Sequence, residues 1–403
     1  MLPLTGVRIL DLTRALSGPL CTTVLADLGA DVVKVEPMPH GDVIRLWGPY
    51  HDDVSVYHLA VNRNKRSVAI DLRAEEGRAL LHQLAQSADV LVENFRPGVL
   101  DALGLSEAER ARAHPDLIVA SVTGFGPVGP RRTDPGYDQI AQGMAGLMAV
   151  TGGPTDTPMR VGIPIADVLA GLFCAIGVLG SLHSRGHSAS VNRVETSLLE
   201  SAAAVMTFQA QRFLSLGEVP APQGNHHPIL APYGVFATAD RPINIAAASE
   251  RQWRALAAVA GLEHLADEPA FATAEDRRLN RDRLTNLLEE RLAQAGHAHW
   301  LERLRSVGVP CGPIHTMDSV FNDEQVAALG LASPTTHPTL GRVSLVRGPL
   351  WLNGQAQQVR RHPPRHGEHT DEVLAELGID AERRDELRSR AVIAIPRGDD
   401  DRC

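Results

Sequence analysis

Short apolar runs alternate with stretches of helical period through the first half of the chain. Val7–Leu12, Asp31–Val35, Val68–Leu72, Val90–Glu93 and Leu117–Val122 read as buried strands. Cys21–Leu28 and Ala74–Ser87 fall between some of them with the spacing of helices. This alternation predicts an α/β fold, a largely parallel sheet covered by helices. A glycine- and proline-rich break covers Gly124–Gly136, and two apolar helices are expected near Pro164–His183 and Val194–Leu216. The pattern changes at Pro220–Pro232, a connector rich in proline, histidine and glycine. Strands near Val235–Thr238 and Ile243–Ala247 follow, then charged amphipathic helices at Arg251–Ala260 and Arg281–Ala295. The expected organisation is a large domain over 1–220, a linker at 221–231, and a smaller α/β domain over 232–313. A return segment then covers 314–395, with a strand near Gly341–Val346, a helix at Asp371–Leu377 and a polar tail over 396–403.

Composition narrows the function classes. At 403 residues the chain can bury a substantial core. Hydrophobic residues at 44% and charged residues at 22% are those of a folded globular protein. A net charge of −9 argues against nucleic acid or an acidic membrane as partner. Cys21, Cys174, Cys311 and Cys403 have neither metal-like nor redox-like spacing, and no metal is expected. The N-terminus has no cationic segment leading into an apolar stretch. The longest apolar segment, around Val168–Leu182, is broken by glycines and is too short to span a bilayer. A cytoplasmic protein without a membrane partner is the expectation.

The chemistry centres on Gly162–Gly171, which sets one carboxylate, Asp167, in the first turn of an otherwise apolar helix. Pro164 suits a helix start because its missing N–H would have no partner there. The unpaired N–H groups of that turn favour an anion, so Asp167 is expected to be held ionised as a nucleophile. A second motif, Gly124–Gly129, satisfies G-x-G-x-x-G, but Pro127, Pro130 and Pro135 keep a helix from starting behind it. A dinucleotide site is therefore not expected there; the glycines either let backbone approach a ligand or simply form a turn.

Around Asp167 runs an ordered series of motifs. Gly6–Arg14 and Ser17–Pro19 come first, then Asp27–Pro37, Gly41–Arg45, Asn62–Ser67, Glu93–Gly98, Gly136–Asp138 with Gln142 and Gly143, and finally His366–Val373. The series resembles the family III CoA-transferases, the group of formyl-CoA:oxalate and carnitine CoA-transferases, from about Leu4 to about Val392. The resemblance implies a Rossmann-like large domain completed by the C-terminal segment, an interlocked homodimer, and Asp167 as the covalent carrier of acyl and CoA groups. It implies CoA contacts from Leu16, Ser17, Pro37, Ile70, Arg73, Asn94, Phe95, Arg96 and Tyr137. Coenzyme A thioesters are then substrates, with no further cofactor. The pool of cations for the CoA phosphates is Arg45, Arg63, Lys65, Arg66, Arg73 and Arg96. Ala102 stands where members of the family often carry a CoA-contacting arginine.

At the acceptor end, Gly124, Gly126, Asn225 and His226 are the expected substrate contacts. Gln223–Pro228 and Ala231–Phe236 are similar in wording to transferases of succinyl-CoA and other dicarboxylic acids. The run of glycines found in formyl-CoA:oxalate enzymes is missing, which disfavours oxalate. A racemase branch of the superfamily carries histidine where this chain has Tyr137, and a phenol is a poor base near neutrality. The transferase reading is therefore preferred over a 2-methylacyl-CoA racemase or a non-catalytic CoA-binding dimer.

Overall fold

Six of the chain's strands lie side by side and parallel. In the computed structural model, which describes residues 1–186 and 191–396, they are β1 (Arg8–Asp11), β2 (Asp31–Pro37), β3 (Lys65–Ile70), β4 (Val90–Glu93), β5 (Ile118–Thr123) and β6 (Arg193–Ser197). Their order is β3-β2-β1-β4-β5-β6, and Ile393–Ala394 adds an antiparallel edge strand against β3. Successive residues of a strand face opposite sides, so both faces of the sheet are apolar. Leu10, Val33 and Leu91 pack with Leu80, Leu81 and Leu84 of helix α2 (Glu75–Gln86), after α1 (Ser17–Asp27) in the chain. Ile9, Val32, Val90 and Val92 face the other way, toward Cys21 and Leu25 of α1. Continuous apolar strands are what a parallel sheet covered on both sides requires.

Three further helices complete the region of interest: α3 (Asp138–Met144), α4 (Ile165–Ser184) and α5 (Leu198–Ala204). At 20 residues α4 is long and apolar enough to cross a bilayer, which corrects the expectation drawn from Val168–Leu182. It buries Ala166, Ala170, Gly171, Cys174, Ala175 and Val178 along one side and leaves Leu172, Phe173 and Ile176 exposed on another. A Cβ on Gly171 would stand 2.5 Å from the Ser17 carbonyl oxygen, so glycine is what lets α1 and α4 touch there. Cys21 and Cys174 share this core as small buried residues. Residues 193–197, expected at the start of a helix over Val194–Leu216, form β6 instead. Val194 and Thr196 pair there with Ala120 and Val122, and helix begins only at Leu198. The β-branched residues suit a strand once an open sheet edge is beside them.

The chain divides into two units. The first comprises 1–147, 160–211 and 327–403, and the second 148–159 and 212–326. The second is thus larger than the 232–313 expected, because 212–231, 314–326 and a short upstream segment belong to it. Gly224 N–H donates to Gly152 O at 2.8 Å within it. Its three-stranded antiparallel sheet joins Tyr233–Phe236, Ile243–Ala246 and Cys311–Pro313. Trp253, Phe271, Leu288, Trp300 and Leu304 form its core. Of the tail expected over 396–403, residues 397–403 lie outside those described.

Candidate active site

Strand order fixes where a ligand can sit. The chain leaves β1 toward β2 on one side and reaches β4 on the other, so the loops after β1 and β4 part above the sheet and leave a crevice. Those loops are tied to each other at its floor. Asn94 Oδ1 accepts the Arg14 N–H and Asn94 Nδ2 donates to Arg14 O, both at 2.8 Å. Lys34 Nζ donates to Thr13 O at 2.6 Å and pairs with Asp42 at 3.0 Å, with both side chains buried. Asp42 Oδ1 accepts the N–H of Ala15 at 3.0 Å. These bonds hold Ala15 at φ +60, a left-handed conformation that alanine rarely adopts. The turn delivers Leu16 and Ser17 to the head of α1.

Beneath it lies a second buried ion pair. Lys65 Nζ reaches Asp11 at 3.1 Å, Pro19 O at 2.8 Å and Asn62 Oδ1 at 3.0 Å. Burial brings the Lys65 ammonium down to about 8, against the attraction of Asp11.

The crevice is a cavity of about 460 Å³. Of the expected residues, Leu16, Ser17, Asn94, Phe95, Arg96, Gly124, Tyr137 and Asp167 line it together. Tyr137 is 69% exposed. Gly124 and Gly136 cross so closely that a Cβ on Gly124 would stand 2.6 Å from the Gly136 Cα. That contact, rather than a phosphate turn, is what the glycine serves.

Asp167 differs from expectation in charge. Its carboxyl is pushed up to about 7, first by burial and then by the neighbouring Asp138, with a hydrogen bond from the Ser17 hydroxyl opposing both. The N–H groups of the first turn are largely spent elsewhere. Ile165 donates to Ile163 O at 2.8 Å, Ala166 to Asp138 Oδ1 at 2.8 Å, and Val168 to Pro164 O at 3.0 Å. The helix start therefore stabilises Asp138 instead.

Other expected contacts lie apart from this cavity. The Ile70 side chain is fully buried in the core, where it packs with Leu81 and Val373, so it offers no surface to a ligand. Pro37 ends β2 opposite Ile70 and is absent from the lining. Arg73, 81% exposed, pairs with Asp71 at 2.8 Å. Gly126 lines an adjacent cavity of about 510 Å³, and its N–H donates to Thr123 Oγ1 at 3.0 Å, which commits that donor inside the protein. Asn225 and His226 belong to the second unit. There the His226 N–H donates to Gln223 O, and the His227 ring accepts from the backbone of Ile229 and Leu230.

The pool of cations also changes. Arg45 pairs with Glu36, Arg63 with Asp27, Lys65 with Asp11, and Arg66 with Asp31 and Glu376. Arg96 alone of that pool lines the cavity, joined by Arg14, Arg132 and Arg160, none of which has an acidic partner among the described residues. The Arg14 guanidinium lies 5.3 Å from the centre of the Phe95 ring. The unpaired guanidinium groups around the neighbouring carboxyls of Asp138 and Asp167 suit a polyanionic ligand bearing an electrophilic carbonyl. Arg14, Arg132, Arg160 and Asp138 were not singled out by spacing. For Asp138 the signal was its place beside Tyr137 with Gln142 one turn on.

Comparison with known proteins agrees with the geometry. Residues 4–370 match the sequence model of CoA-transferase family III. The chain is 39% identical over 353 residues to an acetyl-CoA:oxalate CoA-transferase of Acetobacter aceti, covering 87% of this chain and 90% of that one. It is 36% identical over 394 residues to the succinyl-CoA:glutarate CoA-transferase of Homo sapiens, covering 97% and 90%. The crystal structure of a CAIB/BAIF family protein from Brucella suis superposes with a TM-score of 0.83 at 37% identity, covering 93% of this chain and 99% of that one. The shared sequence, the six-strand parallel order and the carboxyl-lined crevice lead to one assignment: the chain is an enzyme belonging to CoA-transferase family III.

Proposed function

We propose that this enzyme transfers coenzyme A from succinyl-CoA to a second dicarboxylic acid, through covalent intermediates on Asp167. The observation that carries this reading is the Asp167 carboxyl, half-buried in a cavity whose unpaired cations are Arg14, Arg96, Arg132 and Arg160. The relatives named for glutarate and for oxalate support a dicarboxylic acceptor.

Ionised Asp167 attacks the thioester carbonyl, the C–S bond breaks, and CoA departs as thiolate, leaving a mixed anhydride. The thiolate then attacks the aspartyl carbonyl, freeing the donor acid and forming an Asp167–CoA thioester. The acceptor carboxylate runs the two steps in reverse and leaves as the new thioester. Water has to be excluded, because either intermediate would hydrolyse. The hydroxyl of Ser17 steadies Asp167 between attacks. The reading extends to a homodimer working in the cytoplasm. Leu172, Phe173 and Ile176 are exposed along one side of α4, an apolar surface that supports self-association. The thiols Cys21, Cys174 and Cys311 are free, in keeping with a reducing compartment.

The test is CoA exchange between succinyl-CoA and a set of dicarboxylic acids, followed by mass spectrometry of all thioesters. New thioesters should require both the acid and Asp167, and Asp167→Ala should abolish them. Turnover retained in Asp167→Ala would overturn the mechanism.

A further inference from the structure

Asp138 is buried and makes hydrogen bonds through both carboxylate oxygens. Oδ1 accepts the N–H of Ala166, the residue before Asp167, at 2.8 Å, and Oδ2 accepts from Gln142 Nε2 at 2.7 Å. Gln142, fully buried one turn along α3, accepts the Val161 N–H at 2.9 Å through Oε1. The pair thus clamps both ends of the segment that leads into α4. Asp138 also lines the same cavity as Asp167.

We propose that Asp138 is the positioning residue for Asp167: it fastens the first turn of α4 and sets a second carboxylate beside it, whose repulsion favours the acylated, uncharged form of its neighbour. The proposal rests on the nucleophile reading above. When an Asp167 oxygen bonds to the thioester carbon and the C–S bond breaks, the electron pair leaves on sulfur. Asp167 passes from −1 to neutral and the thiolate takes the charge, so the total is conserved while repulsion with Asp138 is relieved. Like charges in a partly desolvated site repel strongly enough for this to matter. The same relief accompanies formation of the Asp167–CoA thioester. The upward push of Asp138 on the Asp167 carboxyl agrees with this placement. Around the pair, Arg14, Arg96, Arg132 and Arg160 supply positive charge, Tyr57 and Tyr137 are phenols, and Asp134 pairs with Arg131.

The experiment labels Asp167 with a water-soluble carbodiimide and an amine across pH, reading the modified peptide by mass spectrometry. It needs no turnover. The wild-type enzyme should lose labelling with a midpoint near pH 7. Asp138→Asn, which keeps an acceptor for the Ala166 N–H, should move the midpoint down by about one pH unit, a tenfold change in protonation. Asp138→Glu should keep it high. The acidic limb of kcat/KM should shift in parallel, a readout that a purely structural role would not move. Should Asp138→Asn fail to fold, Asp138→Ser gives the same comparison. A midpoint unchanged on removal of the charge would overturn the proposal. Activity retained in Asp167→Ala would overturn the nucleophile reading instead, and the labelling result would stand apart from it.

Discussion

At the scale of residues, the site depends on one carboxyl whose protonation is set by where it sits. In the unfolded chain Asp167 has an ordinary value of 3.8, and in the folded protein it is raised to about 7. Between those values the folded state holds the extra proton, so stability falls as pH rises through the window and is lowest above it. Asp167→Asn removes the buried charge. It should stabilise the protein by on the order of 2–4 kcal/mol at pH 8 and by less than half of that at pH 5, as read by urea denaturation. A gain independent of pH would contradict the cause assigned to the shift. Pro164 and the apolar run after it made Asp167 itself legible in the sequence. Its charge state was not, because Asp138 comes from another helix and takes the Ala166 N–H that spacing alone would have given to Asp167.

Among elements, the contact between α1 and α4 decides whether Ser17 reaches Asp167. Gly171→Ala would drive a Cβ to 2.5 Å from the Ser17 carbonyl oxygen. The helices would have to part, at a cost of about 1–3 kcal/mol, and a melting curve should show it. The same variant should lower kcat more than it raises KM, since Ser17 touches the nucleophile. An unchanged Tm would contradict the crossing described. The strands were legible because buried parallel strands leave continuous apolar runs, and β4 keeps the bounds Val90–Glu93 expected for it. β6 was not, because residues 193–197 run straight into the apolar start of α5 and only the edge of β5 makes them a strand. Which cations are already paired was hidden for a related reason. Arg63 meets Asp27, and Arg66 meets Glu376, across distances along the chain that no local pattern reports.

For the whole molecule, the exposed apolar side of α4 bears on assembly. Ile176 is 62% exposed in the single chain, with Leu172 and Phe173 beside it. If the protein works as a homodimer closed over this surface, Ile176→Asp should convert it to monomer in light scattering after gel filtration. An unchanged mass would place the interface elsewhere. The family was readable from ordered motifs spanning nearly the full length, whereas the extent of the second unit was not. Residues 148–159 join it through backbone bonds such as that from Gly224 to Gly152, which leave no trace in composition.

The central claim is that Asp167 carries the transferred groups. Mixing the enzyme with succinyl-CoA, quenching in acid and mapping peptides by mass spectrometry tests it most directly. The account predicts a hydroxylamine-sensitive CoA adduct on the peptide containing Asp167, missing in Asp167→Ala. Rapid exchange with no adduct there, or an adduct on another residue, would contradict it.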